Sequence, residues 1–156
     1  GFCPACALMQ AGVTLAIGTD GAASNNDLDM VGETRTAAIL AKAVAEDAAG
    51  LSAAEALRAA TWGGAKAMGL DDLVGTLEPG KQADIACIDL GQIETQPLHH
   101  VISQIVYATG RQQVSDVWIA GKPKLRDRKL VDMDEAGILA NARQWRARIG
   151  AVELSR

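Results

Sequence analysis

The sequence predicts an α/β fold that passes into a small β unit, on three observations. Val13–Ile17 is a five-residue apolar run without polar alternation, the pattern of a strand covered on both faces. Two Ala-rich stretches behind it are helical in character. After Gly69 the helical texture gives way to short apolar runs punctuated by Pro, Gly and Asp. With 156 residues, 49% of them hydrophobic, the chain can bury one core, or one core and a small satellite.

In chain order, Ala5 to Ala11 reads as a short helix stopped by Gly12, and the strand Val13–Ile17 follows. Gly18-Thr19-Asp20-Gly21 ends that strand, so Asp20 stands at its carboxyl end. In α/β barrels this end displays catalytic groups. Leu28 to about Glu46 is a helix for which Asp27 or Asp29 can serve as N-cap. A second helix, Ser52 to Met68, opens on a capping box of Ser52 and Glu55, packs through Ala53, Leu57, Ala60 and Ala65, and closes at Gly69. Pro79-Gly80 takes the centre of a type II turn, which predicts a hairpin over Gly75 to Leu90. HHVISQIVYAT reads as a short helix, while VSDVWIAG and KPKLRDRKL read as two strands joined around Gly121. A final helix runs from Asp134 to about Arg148, with Ile138, Leu139, Ala142 and Trp145 on one face.

A net charge of −4, with basic residues scattered except between Lys122 and Lys129, argues against nucleic acid as a partner. No apolar stretch reaches the roughly 18 residues a membrane span needs, so no membrane partner is expected. Cys3, Cys6 and Cys87 are too few for a disulfide framework, and a cytoplasmic location is expected. The chain opens on GFCPACALMQ rather than on Met and runs straight into a strand, which suggests a fragment.

GVTLAIGTDGAASNNDLDMVGETRTAAILAK, followed by ATWGGAKAMGLDDLVGTLEPGKQADIACIDL, resembles the C-terminal part of the amidohydrolase superfamily. The similar group contains 5-methylthioadenosine/S-adenosylhomocysteine deaminases and triazine chlorohydrolases. The strand ending in GTDG, the SNN behind it and the G-x-L-x-P-G-K-x-A-D segment occur together and in order, and the likeness covers nearly the whole chain. It implies the end of a metal-dependent hydrolase (β/α)8 TIM barrel and the C-terminal part of a composite β-sandwich. Residues 1–70 would be the last strand and helices of the barrel, 71–133 the sandwich part, and 134–156 a C-terminal helix and tail.

What the resemblance implies chemically is a divalent metal, zinc or alternatively iron, and a metal-activated water that deaminates an adenine nucleoside. The metal's histidines would lie upstream, because His99 and His100 fall in the sandwich region. Asp20 matches the aspartate after the last barrel strand, as metal ligand and proton acceptor, and Ser24 the serine that contacts substrate. Asn25 and Asn26 would brace the loop, and Asn25 and Glu33 would support the site from behind. Rival readings are a hydrolase of a triazine or another aminated heterocycle, and a non-catalytic interaction module. The chain alone is expected to be inactive, and to form a homo-oligomer or associate with the missing N-terminal part.

Blander roles compete for several residues. A strand-end Asp is ordinarily a turn or N-cap residue, and Glu33 equally suits a helix surface. The C-x-x-C of Cys3 and Cys6 suits a redox pair or half a zinc site completed by His99 and His100, but adjacent histidines seldom ligate one ion, and packing thiols are the simpler reading. Trp62, Trp118 and Trp145 sit in apolar patterns that suit a core or a subunit interface.

Overall fold

The computed structural model describes residues 1–153; the last three residues of the expected tail, 154–156, lie outside the described residues. Helix α1 (Ala5–Gln10) leads into an extended segment, 13–17. Helix α2 (Met30–Ala45) starts at Asp29, whose carboxylate accepts the Val31 N–H at 3.0 Å, and stops at Glu46 in the left-handed region. The capping box at Ser52 forms as expected, with the Ser52 N–H and hydroxyl each donating to Glu55 Oε2 at 2.7 Å. Those two bonds hold the Glu55 carboxyl below its ordinary pKa.

The helix behind that cap is not continuous. It runs as α3 (Ala53–Arg58), a π-helical turn (Ala59–Gly63) and α4 (Gly64–Ala67). The widened turn frees the Ala59 carbonyl, which accepts the Ile17 N–H at 3.3 Å. At the same place Gly63 lets the extended segment approach, since a Cβ there would overlap the Leu15 carbonyl oxygen.

Val13–Ile17 was expected as a buried strand, and here the structure differs. The segment is extended but pairs with no strand among the described residues, and Val13 is 48% exposed. A strand exists only through its ladder, and these residues supply no neighbour for it.

The core lies between α2, α3 and helix α5 (Val101–Ala108), where Ala38, Ala41, Leu51, Ala53, Ala56 and Val106 are buried. Mostly alanines, they let the helix axes come close. Lys42 ties the α2–α3 connection by donating from Nζ to the Gly50 and Leu51 carbonyls at 2.7 and 2.8 Å. Helix α5 is capped by His100, whose Nδ1 accepts the Ser103 N–H at 3.2 Å, so this histidine has a structural partner.

Strands β1 (Ile85–Ile88), β2 (Val114–Ile119), β3 (Lys122–Arg126) and β4 (Lys129–Leu130) form one antiparallel sheet in sequential order. Ala120-Gly121 links β2 to β3 with positive φ at both residues, the two-residue turn that matches strand twist. KPKLRDRKL is two strands rather than the one expected, because Asp127 and Arg128 also take positive φ and reverse the chain.

The hairpin expected over Gly75 to Leu90 is not formed. The Pro79-Gly80 turn is present, with the Lys81 N–H on the Glu78 carbonyl at 3.2 Å and Gly80 at φ +94, but β1 pairs with the distant β2. Lys81 is turned inward instead, donating to the Asp71 carbonyl and Thr76 Oγ1, each at 2.6 Å. Asp84 accepts the Ala120 N–H at 2.7 Å, which locks the start of β1 to the β2–β3 turn.

Helix α6 (Glu135–Glu153) outlasts the expected end at Arg148 and leaves Ile138, Leu139 and Trp145 more than half exposed. Trp145 is therefore no core residue of this chain, whereas Trp62 and Trp118 are half-buried. No helix among the described residues is long and apolar enough to cross a membrane.

Candidate functional site

The loop from Gly18 to Asp29 begins where the extended segment ends and stops at the N-cap of α2. Asp20 sits in the left-handed region at φ 61, tolerated by a short polar side chain. Its Oδ1 accepts the Gly21 N–H at 2.7 Å, and Oδ2 has no hydrogen-bond partner among the described residues. The carboxylate is exposed, and nothing lies within 4 Å of where a Cβ would stand on Gly18 or Gly21, so the space around it is open.

Behind Asp20 the chain closes a tight turn, in which the Gly21 carbonyl accepts the N–H groups of both Ser24 and Asn25 at 2.9 Å. The Ser24 side chain is exposed. Asn25 is half-buried and bridges two elements: Nδ2 donates to Glu33 Oε1 at 2.8 Å, and Oδ1 accepts the Asp27 N–H at 3.1 Å. The two residues expected to support the site thus meet directly, on the first turn of α2. Asn26, expected to brace the loop as well, is exposed and takes no part in this pairing.

Glu33 also lines a groove of about 290 Å³ that runs along the extended segment past Phe2, Leu15, Ile17 and Leu40. Its walls are mostly apolar, with Phe2 72% and Leu40 38% exposed.

Two arginines that the sequence did not single out hold this region from outside. Arg111 Nη1 stands 2.5 Å from Asp27 Oδ1 and donates to the Asp27 carbonyl at 2.9 Å. Arg35, on α2, donates to the carbonyls of Val106 and Thr109 at the end of α5. The partners are 71 or more residues apart, so no local pattern marks them.

As a metal site the loop is incomplete. Among the described residues no three His, Cys, Asp or Glu side chains gather where they could hold an ion. Asp20 fits one ligand position, an exposed carboxylate with an oxygen to offer; the rest of a four-ligand shell has no source here. The Cys3 and Cys6 thiols are free, Cys3 exposed and Cys6 half-buried with its Sγ 3.7 Å from the Ala41 carbonyl. His100 is engaged as a cap.

The sequence profile of the amidohydrolase family matches residues 1–124. The 5-methylthioadenosine/S-adenosylhomocysteine deaminase of Teredinibacter turnerae is 50% identical over 97% of this chain, which covers 34% of that protein. The deaminase of the same name from Desulforudis audaxviator is 42% identical over 96% of the chain, covering 35% of the relative. Among solved structures, an adenosine deaminase from Xanthomonas campestris with bound zinc superposes with a TM-score of 0.94 at 69% identity, over 97% of this chain and 34% of that one. The atrazine chlorohydrolase of Arthrobacter aurescens, complexed with zinc, gives a TM-score of 0.79 at 32% identity, over 85% of this chain and 30% of that one. The chain thus spans about a third of the length of the proteins it matches.

Proposed function

The chain belongs to the amidohydrolase family, and from that premise we propose that it is the C-terminal part of a zinc-dependent hydrolase that deaminates an adenine nucleoside such as 5-methylthioadenosine or S-adenosylhomocysteine. The observation that carries this reading is the Asp20 carboxylate, exposed at the head of the Asn25–Glu33-braced loop with one oxygen unengaged, in a chain half identical to a deaminase of that name.

A divalent metal supplies the acidity that makes water a nucleophile at neutral pH. Asp20 would hold one position on it, and its carboxylate would take up the proton that the attacking water gives up. Water adds to the ring carbon bearing the amino group, the proton held by Asp20 passes to the amino nitrogen, the carbon–nitrogen bond breaks, and ammonia leaves. The Ser24 hydroxyl is free to hydrogen-bond a polar edge of the heterocycle, while Glu33 and Asn25 keep the loop in shape.

In this reading residues 1–70 close the barrel, 71–133 belong to the sandwich, and 134–156 form the C-terminal helix and tail. The apolar groove beside Ile17 is the place of neighbouring barrel strands, and association with the rest of the protein, or with a second copy, covers it. A reducing cytoplasm suits the three free thiols. Hydrolysis of a triazine is the second reading, favoured by the likeness to the atrazine chlorohydrolase.

The test is release of ammonia or chloride by the full-length protein offered methylthioadenosine, S-adenosylhomocysteine, adenosine and a chlorotriazine, before and after chelation. Ammonia from the nucleosides, lost on chelation and restored by zinc, is expected, and the 156-residue chain alone should release none. Turnover of the triazine alone would transfer the assignment to the second reading. Nucleoside turnover indifferent to chelation would remove the metal from it.

A further inference from the structure

The Asp27–Arg111 pair joins the candidate loop to a part of the chain 84 residues away, and its two ends are held very differently. The arginine end stands on buried polar structure. Gln113, 3% exposed, accepts the Gly110 N–H at 2.7 Å and donates to Glu94 Oε1 at 2.9 Å. Thr109, 1% exposed, donates to the Ile105 carbonyl at 2.6 Å, and its own carbonyl receives Arg35 from α2. Arg111 therefore projects from a shelf fixed on both sides and continued directly by β2.

The aspartate end is soft by comparison. Residues 20–29 have no regular structure beyond the turn at Gly21, and Asp27 lies in their outer part. Yet Asp27 is linked inward: its N–H is held by Asn25 Oδ1, and Asn25 shares the Gly21 carbonyl with Ser24. Fixing Asp27 thus limits where Asn25, and through the turn Ser24, can go. Arg111 holds Asp27 by carboxylate and backbone together, a grip that constrains the main chain as well as the side chain.

We propose that Arg111 is a positioning residue: by gripping Asp27 it sets the conformation of residues 21–27 and so the place of the Ser24 hydroxyl against substrate. The proposal rests on the reading of this loop as the one that meets substrate. It makes the loop's order depend on the shelf ahead of β2. Both side chains are about 60% exposed, 61% and 59%, so the effect is graded rather than all-or-none.

Amide hydrogen exchange on the full-length protein reads the grip without any turnover. In Arg111→Ala the protected amides of Ser24 and Asn25 should exchange about two- to fivefold faster, with those of β2 unchanged. Arg111→Lys, which keeps a donor for the Asp27 carboxylate and carbonyl, should stay closer to the rate of the unaltered protein than Arg111→Ala does. With nucleoside substrate, Arg111→Ala should raise KM by a similar factor and leave kcat in place. Unchanged exchange at Ser24 and Asn25, or Arg111→Lys as fast as Arg111→Ala, would overturn the proposal. A protein without deaminase activity that still shows the exchange change would refute the functional reading and keep the grip. An active enzyme with unaltered exchange would do the opposite.

Discussion

Gly63 and Gly64 offer a matched pair of substitutions that isolates a single contact. Both have helical backbone, φ −60 and ψ −43 at Gly63, φ −61 and ψ −48 at Gly64, so replacing either by alanine brings the same propensity gain of about 1 kcal/mol. Their surroundings differ completely. A Cβ on Gly64 meets nothing within 4 Å, whereas one on Gly63 stands 3.3 Å from the Leu15 carbonyl carbon, 3.4 Å from the Arg58 carbonyl oxygen, and in overlap with the Leu15 oxygen. These are backbone atoms that no rotamer change can move, so either the extended segment or the π turn must shift. Overpacking of this kind costs about 1–3 kcal/mol. Because the propensity gain cancels between the variants, Gly63→Ala should lie that far below Gly64→Ala. For a chain of this size the difference corresponds to roughly 2–12 °C in Tm. Thermal unfolding of both variants by circular dichroism is the assay, with ammonia release by the full-length protein as the companion. Displacing Leu15 moves the segment that carries Asp20, so Gly63→Ala should lose turnover and Gly64→Ala should keep it. Equal melting temperatures would show that the close approach of Leu15 to the π turn is not a feature of the folded protein.

Asp20→Asn should fold normally and lower turnover of the full-length enzyme by about 10²-fold or more, since an amide keeps the shape but cannot take a proton; near-normal ammonia release would refute the role. Ser24→Ala should cost about 1–3 kcal/mol in kcat/KM if its hydroxyl meets a buried polar edge, with a loss that varies with the ring offered; a uniform loss across substrates would count against recognition. Glu55 is held below its ordinary pKa by Ser52, so its stabilising contribution is present above the unfolded glutamate range and disappears as pH falls through the lowered value. The melting gap between the unaltered protein and Glu55→Gln should accordingly be open at pH 7 and close below about pH 4; a constant gap from pH 7 to 3 would exclude the charged bond as its source. In sedimentation at micromolar concentration the 156-residue chain should self-associate, because Phe2, Leu77 and Ile93 are 72%, 75% and 90% exposed; a stable monomer that binds no hydrophobic dye would contradict this.

What the sequence by itself determined is mostly local chemistry. Ser52 and Glu55 cap the second helix, Asp29, one of the two caps the sequence offered, starts α2, Pro79-Gly80 turns the chain, and the GTDG and SNN run marks a polar loop after an apolar segment, all through contacts a few residues apart. Such contacts are legible because both partners lie in one short window. The pairing of Asn25 with Glu33, eight residues on, was within reach for the same reason: the second residue follows one helical turn after the N-cap. Only the tertiary structure decided the rest. That β1 pairs with β2, not with its own upstream segment, depends on a register between strands 26 or more residues apart. The break of Ala59–Gly63 into a π turn answers the Leu15 and Ile17 backbone, which no helical period can anticipate. Likewise Arg111 finds Asp27 only because α2 packs against α5 and against the turn Arg111–Gln113, which brings two distant parts of the chain together. The apolar pattern of Val13–Ile17 is that of a segment covered on both faces, while the strands that would pair its edges are a matter of the surrounding fold, since a ladder needs a neighbour and a single segment does not encode one.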